Sequence, residues 1–216
     1  MDDNLNGISN EFLEKTSPVG IDQGAGDFTI CGWVQFNGNS GVQSPCSRWT
    51  NVGDQEQFAF SLKTGTPRFW QIAISQDGTP GAENRGVDDV TDTYIISGVP
   101  VLQRFLCAFY DGTADTLNLQ VGNGPVGTTG SVTNVFAGST ESLKFGHTFN
   151  FTSQWALLGG VWGWGYWDRV LSQVERNFLY HKGFGRLFSD LQPSNGGFTA
   201  TTFGFITQQL FLNRRR

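Results

Sequence analysis

Charge is scarce in this chain. Asp, Glu, Lys and Arg make up 15% of the 216 residues, against the ~25% typical of soluble domains. A surface so poor in charge must be largely neutral-polar, or partly covered by partners. Histidine occurs only as His147 and His181, and cysteine only as Cys31, Cys46 and Cys107. Two histidines and dispersed cysteines do not make a zinc set or a nucleophile–base pair. His181 reads as a helix-end residue and His147 as a surface-loop residue after Gly146. Three cysteines cannot all pair within one chain. Cys31 and Cys107 stand in apolar strands and read as small buried hydrophobes, with no disulfide framework expected. No run approaches the ~18–20 apolar residues of a membrane span. The acidic start Met1-Asp2-Asp3-Asn4 does not read as a secretory leader. The net charge of −5, with Arg214, Arg215 and Arg216 all at the C-terminal end, leaves an acidic body and excludes a nucleic-acid-binding face. Paired carboxylates at strand spacing, which a retaining glycosidase holds ~5–5.5 Å apart, are also lacking. Glu141 has no such partner, and Glu56 and Glu83 lie in loop-like sequence. Gly122-Asn123-Gly124 is not followed by a helix, so it reads as a turn rather than a phosphate cradle.

What the chain has is aromatic residues and glycine: 19 Phe, 7 Trp and 29 Gly. Strand-like segments recur between turn signals. Glu11–Ser17 reads as an edge strand stopped by Pro18, and Asp27–Phe36 as a core strand. Further strands are expected at Ser47–Trp49, Gln57–Leu62, Arg68–Ser75, Tyr94–Ile96, Arg104–Tyr110, Leu117–Val121, Val132–Phe136, Ser142–Phe145 and Leu157–Trp167. Residues 77–93 and 122–130 read as loops. Phe58, Phe60 and Leu62 alternate onto one face, as do Leu117, Leu119 and Val121. Many short strands and one late helix argue for an all-β antiparallel two-sheet sandwich rather than an α/β fold.

The stretch Gly159–Gly183 carries the most information. Trp162, Trp164 and Tyr166 fall at period two and are expected to share one face. Ser172-Gln173-Val174-Glu175 then forms a capping box that opens a helix. Leu171, Val174, Phe178 and Leu179 give it a one-sided apolar stripe, and Gly183 is expected to stop it. Trp167, Asp168, Arg169, Leu171, Ser172, Glu175, Leu179, Tyr180 and Gly183 together resemble the closing signature of laminin-G-like domains. That family belongs to the concanavalin A-like lectin/glucanase superfamily. Asp27–Val34 and Phe105–Asp111 resemble its first long strand and the central strand that ends in Tyr-Asp-Gly. Leu117–Gly122 and Leu143–Gly146 match the next two. The resemblance implies a jelly-roll sandwich over 11–183, preceded by a polar leader, 1–10, and followed by a C-terminal extension or assembly arm, 184–216.

The resemblance also implies function. Glycan binding is the activity it suggests most directly, through aromatic rings that stack on sugars and side-chain oxygens and amides that bond hydroxyls. Trp49, Trp70 and Trp155 are the candidate rings, since each adjoins polar sequence. The superfamily's paired-glutamate catalytic strand is absent, so no enzyme activity is expected. Many relatives bind calcium through loop oxygens. Here only Asp77, Asp88, Asp89 and Asp92 suggest such a site, and no cofactor is assigned. Relatives often carry an acidic pair at the positions of Trp162 and Gly163. The loss of that charge, together with the Phe-rich extension, points to a surface built to be covered. The expected assembly contacts are Trp162, Phe203, Phe205, Phe211, Arg214, Arg215 and Arg216. The reading this supports is a structural and adhesive virion module, a phage capsid-decoration or tail-associated protein made in the host cytoplasm. Its partners would be other virion proteins, copies of itself or surface glycans, without nucleic-acid binding or membrane insertion. The alternative is a free carbohydrate-binding lectin at a cell surface or outside the cell. A glycoside hydrolase is the third and least supported reading.

Overall fold

The computed structural model describes residues 13–16, 18–22, 24–36, 41–50, 52–64, 68–79, 84–89, 102–150, 153–157, 159–181 and 210–211. In chain order the strands are β1 (Leu13–Lys15), β2 (Phe28–Phe36), β3 (Cys46–Arg48), β4 (Phe58–Lys63), β5 (Phe69–Ser75), β6 (Asn84–Asp89), β7 (Leu102–Asp111), β8 (Thr116–Val121), β9 (Val126–Thr129), β10 (Leu143–Phe145), β11 (Phe149–Asn150), β12 (Ser153–Gln154), β13 (Gly159–Trp167) and β14 (Leu210–Phe211). The helix α1 spans Gln173–Tyr180. One six-stranded sheet has the order β1-β10-β3-β4-β5-β6 and the other β14-β13-β2-β7-β8-β9, with a small β11-β12 hairpin beside them. Every pairing between these strands is antiparallel. The chain is therefore the all-β two-sheet sandwich with one short late helix.

The core between the sheets follows from alternation. Phe28, Ile30, Val34 and Phe36 of β2 meet Phe58, Phe60 and Leu62 of β4 and Trp70, Ile72 and Ile74 of β5. Gly32 occupies the one inward position of β2 without a side chain. A Cβ there would lie 2.1 Å from the Trp164 ring, so the glycine makes the slot that this indole fills. Trp164 Nε1 then donates to the Trp33 carbonyl at 3.1 Å, which satisfies a donor that burial would otherwise strand.

Several sequence expectations need correction. Asn84–Asp89, read as part of a loop, is a strand paired along β5. Val126–Thr129, also read as loop, pairs with β8. Val132–Phe136 is not a strand. Its backbone bonds to Asp115, Gly24 and Ser75, and Val132 and Val135 plug the end of the core. Cys31 and Cys107 are not independent hydrophobes: the β2–β7 register sets them opposite each other, 4.1 Å apart at Cα, and they form a disulfide. Cys46 alone is free, and it is buried. The expected strand at 94–96 lies outside the described residues.

The closing strand departs from simple alternation. Gly163 has φ +61°, and the β13–β2 register shifts between Trp162 and Gly165. This bulge re-aims one side chain. Val161, Trp164 and Tyr166 face the inner core, whereas Trp162 and Trp167 face outward. Trp162 therefore does not share a face with Trp164.

The helix begins as its sequence demands. The Glu175 amide donates to Ser172 Oγ at 3.3 Å, and the Ser172 amide donates to Glu175 Oε2 at 2.8 Å. It ends at His181, whose left-handed backbone (φ 43°) serves as the C-cap; Gly183 lies outside the described residues. The expected apolar stripe turns inward at Leu171 and Leu179 but not at Val174. Val174 is 75% exposed, while Leu171 and the guanidinium-bearing Arg176 are buried.

Candidate ligand-binding surface

The two outer faces of the sandwich differ in kind. Over β2, β7 and β13 the outer face is a second core. Trp33 stacks between Trp162 and Tyr180, at 6.0 and 5.9 Å with interplanar angles of 14° and 11°, and Phe105 tilts against it at 5.5 Å. The helix closes this layer with Leu171, Leu179 and Tyr180. Arg176 places its guanidinium 4.4 Å above the Phe109 ring and donates from Nε to Gln120 at 2.8 Å. Arg169 bonds Glu175 through both nitrogens, at 3.0 and 2.7 Å. That guanidinium holds the Glu175 carboxyl down at about 2, against the partial burial that pushes it up. Thr29 Oγ1 ties the segment to the sheet by donating to the Arg169 carbonyl and accepting from the Leu171 amide.

The outer face of the other sheet carries small and polar residues, of which Ser47, Ala59 and Ser61 are buried. Register aligns Lys144, Ser47, Ala59, Ala73 and Gly86 in one row across β10, β3, β4, β5 and β6. The next outward row is Ser61, Gln71 and Asp88, and the one beyond pairs Lys63 with Phe69. Gln71 Nε2 donates to Asp88 Oδ1 at 2.7 Å. Lys63 carries its ammonium 4.9 Å over the Trp155 ring. Trp155 is positioned by its backbone, which donates to Thr148 and accepts from Ser44. Trp155 and Phe69 are half-buried and flank Lys63, and Gln71 and Asp88 continue the same surface. Burial pushes the Lys63 ammonium below the ordinary lysine range, and the Asp88 carboxylate partly offsets this.

The three tryptophans read as sugar platforms therefore separate. Trp155 is on this surface. Trp49 is half-buried just past the other end of β3, away from Trp155. Trp70 is fully buried, edge-on to Phe36 at 5.5 Å, so no sugar can stack on it. The alternation of β5 that sends Ile72 and Ile74 inward sends Trp70 with them. Lys63, Phe69 and Gln71 were not singled out from sequence, and Asp88 was named only as one of the aspartates of a calcium loop. The hairpin turn after Lys63 marked β4 and β5 as neighbours, and their alternation was the available signal.

Of the residues expected in assembly, Trp162 is half-buried against Trp33. The backbone of Leu210–Phe211 pairs with Gly160 and Val161 of its own sheet. Phe203, Phe205, Arg214, Arg215 and Arg216 lie outside the described residues. His147 is not a surface-loop residue: it is buried, and its carbonyl accepts from Ser47 Oγ. Glu141 pairs with Lys144. Sequence reasoning also missed Arg48, buried at 2% exposure. It pairs with Asp22 and donates to Gln57 and to the carbonyls of Glu141 and Ser139, tying loops at one end of the sandwich to β3.

Of the aspartates suggested for calcium, Asp77 and Asp88 have their side chains described, and that of Asp89 is not. Asp77 accepts from the Thr79 amide and hydroxyl at 2.9 and 2.8 Å, and Asp88 stands on a strand bonded to Gln71. Asp92 lies outside the described residues. Among the described residues no three His, Cys, Asp or Glu side chains group as a metal site, and no helix is long and apolar enough to cross a membrane.

No protein-family profile matches the chain, and no curated protein matches it in sequence. Solved structures do match. A native heptameric SAP-like pentraxin from Limulus polyphemus aligns at TM-score 0.54 and 13% identity, over 81% of this chain and 78% of that one. The CBM40 of Ruminococcus gnavus IT-sialidase, solved with alpha2,6 sialyllactose, aligns at 0.55 and 15%, over 76% and 94%. The binding domain of botulinum neurotoxin DC, in complex with SialylT, aligns at 0.56 and 7%; the chain spans 39% of its length. At these identities the likeness is one of fold. The chain has the concanavalin A-like jelly-roll sandwich.

Proposed function

We propose that this chain is a non-catalytic glycan-binding module of laminin-G-like type. Its sugar-facing surface is the outer face of β5 and β6, with Lys63 at the end of β4. The observation that carries the reading is the grouping, on one polar face, of two half-buried rings, Trp155 and Phe69, with a cation, an amide and a carboxylate, Lys63, Gln71 and Asp88. Rings accept the apolar face of a sugar, and the polar groups fix its hydroxyls, as in ligand sites generally. Among proteins of matching fold, one was solved bound to sialyllactose and another is a toxin whose cell entry depends on two ganglioside molecules. Binding of the protein to a glycan array, with and without Trp155→Ala, tests this. Retained binding in the variant, or none by either protein, contradicts it.

The virion reading has less support. Its motives are the 15% charge and the chain past the helix. Pairing of Leu210–Phe211 with β13 of the same sheet weakens the case for an arm that reaches a neighbour. The two readings are compatible, since a particle protein can present a sugar-binding face. Sedimentation of the chain with and without a shell protein tests the virion reading by itself; no co-sedimentation contradicts it.

A further inference from the structure

The Lys63 ammonium is set against the half-buried Trp155 indole. It lies 4.9 Å from the Trp155 ring centre. Among the described residues no carboxylate is in ion-pair contact with it. Asp88 acts on it only at longer range and is already bonded to the Gln71 amide. A cation resting on an aromatic ring at a partly exposed site is held weakly, whereas a charge-assisted hydrogen bond to an anion is stronger and directional. A neutral saccharide that stacks on Trp155 must move a half-buried ammonium aside and gives it no charge in return. An anionic one supplies that charge.

Resting on the glycan-binding reading, we propose that Lys63 is the selectivity element of this surface. In the free protein its ammonium covers Trp155. An anionic saccharide, carrying a carboxylate or a sulfate, draws the ammonium off the ring, and the sugar ring takes its place. The surface is then polar along its length. The Lys63 end receives the acidic group beside Trp155, and the Gln71–Asp88 end bonds hydroxyls farther along. The exchange is non-covalent and needs no cofactor.

A glycan array holding neutral, carboxylated and sulfated versions of each core tests this, probed with the wild-type chain, Lys63→Gln, Lys63→Arg and Trp155→Ala. The wild type should prefer acidic members over matched neutral ones by roughly tenfold, the scale of one charge-assisted contact at a half-exposed site. Lys63→Gln should erase that ratio. Lys63→Arg should restore it. Preference confined to carboxylated or to sulfated members supports the proposal and names the acid. Equal binding of neutral and acidic members by the wild type, or a ratio that survives in Lys63→Gln, overturns the role of Lys63 and leaves glycan binding standing. No binding by the wild type to any member overturns both. Unchanged melting temperatures establish that the variants are folded.

Discussion

The outer faces of the two sheets are built by the same alternation yet end in opposite states. On β2, β7 and β13 the outward residues are Trp33, Phe105, Cys31, Cys107 and Trp162, and a capped helix seals them. On β4, β5 and β6 the outward residues are Ala59, Ser61, Lys63, Phe69, Gln71, Ala73 and Asp88, with Trp155 at one end. Outward aromatic residues in a strand do not by themselves signal a ligand. Where a helix supplies a cover they become a second core. On the other sheet Ser47, Ala59 and Ser61 are themselves buried, and the accessible part runs from Lys63 and Phe69 over Gln71, Ala73, Gly86 and Asp88.

Substitutions on the two faces should separate them sharply. The largest effect is expected from Trp33→Ala, which removes the ring between Trp162 and Tyr180. It should cost about 3–5 kcal/mol in urea denaturation, whereas Ala73→Ser on the opposite face should stay within about 0.5 kcal/mol. Equal costs would break the contrast. Gly163→Ala comes next. A new Cβ meets Trp33 only at 3.6 Å, so the cost comes from the left-handed backbone, about 1–2 kcal/mol. Near-ultraviolet dichroism should report any rearrangement of the Trp162–Trp33 stack.

Acid probes the helix cover. The Glu175 carboxyl titrates at about 2 in the folded chain, against about 4.3 unfolded. Its depressed value means that its stabilising contribution is complete above the unfolded value and is lost as pH falls toward about 2. Because Arg169 is partly exposed to solvent, which screens the pair, its contribution is at most about 1 kcal/mol. Glu175→Gln should lower the melting temperature at pH 7 and converge with wild type near pH 2. A constant gap between the two would show that the pair is not the cause. The smallest effect is expected from Lys63→Gln, within about 0.5 kcal/mol in stability, so that any loss of binding is a surface effect.

Sequence made some of this plain and hid the rest. The capping box at Ser172–Glu175 was legible because its chemistry is local. Strands β2 and β7 were legible from their apolar runs. The strand Asn84–Asp89 was hidden by its polar, aspartate-rich composition; its partner β5 makes it a strand. Trp162 was misplaced because nothing local distinguishes a glycine in a bulge from one in a regular strand. The Cys31–Cys107 bond needed the β2–β7 register. Arg48 and Arg176 are buried charges whose partners, Asp22 and Gln120, lie far away in sequence. The candidate surface was half visible: Trp155 was named from its polar surroundings, but Lys63, Phe69, Gln71 and Asp88 come together only once β4, β5 and β6 are aligned.

The most direct test compares glycan affinity in Trp155→Ala and Trp162→Ala, each measured on folded protein. Loss of binding in Trp155→Ala with retention in Trp162→Ala is the predicted result. Retention in Trp155→Ala with loss in Trp162→Ala would contradict the account and place the ligand on the helix-covered side.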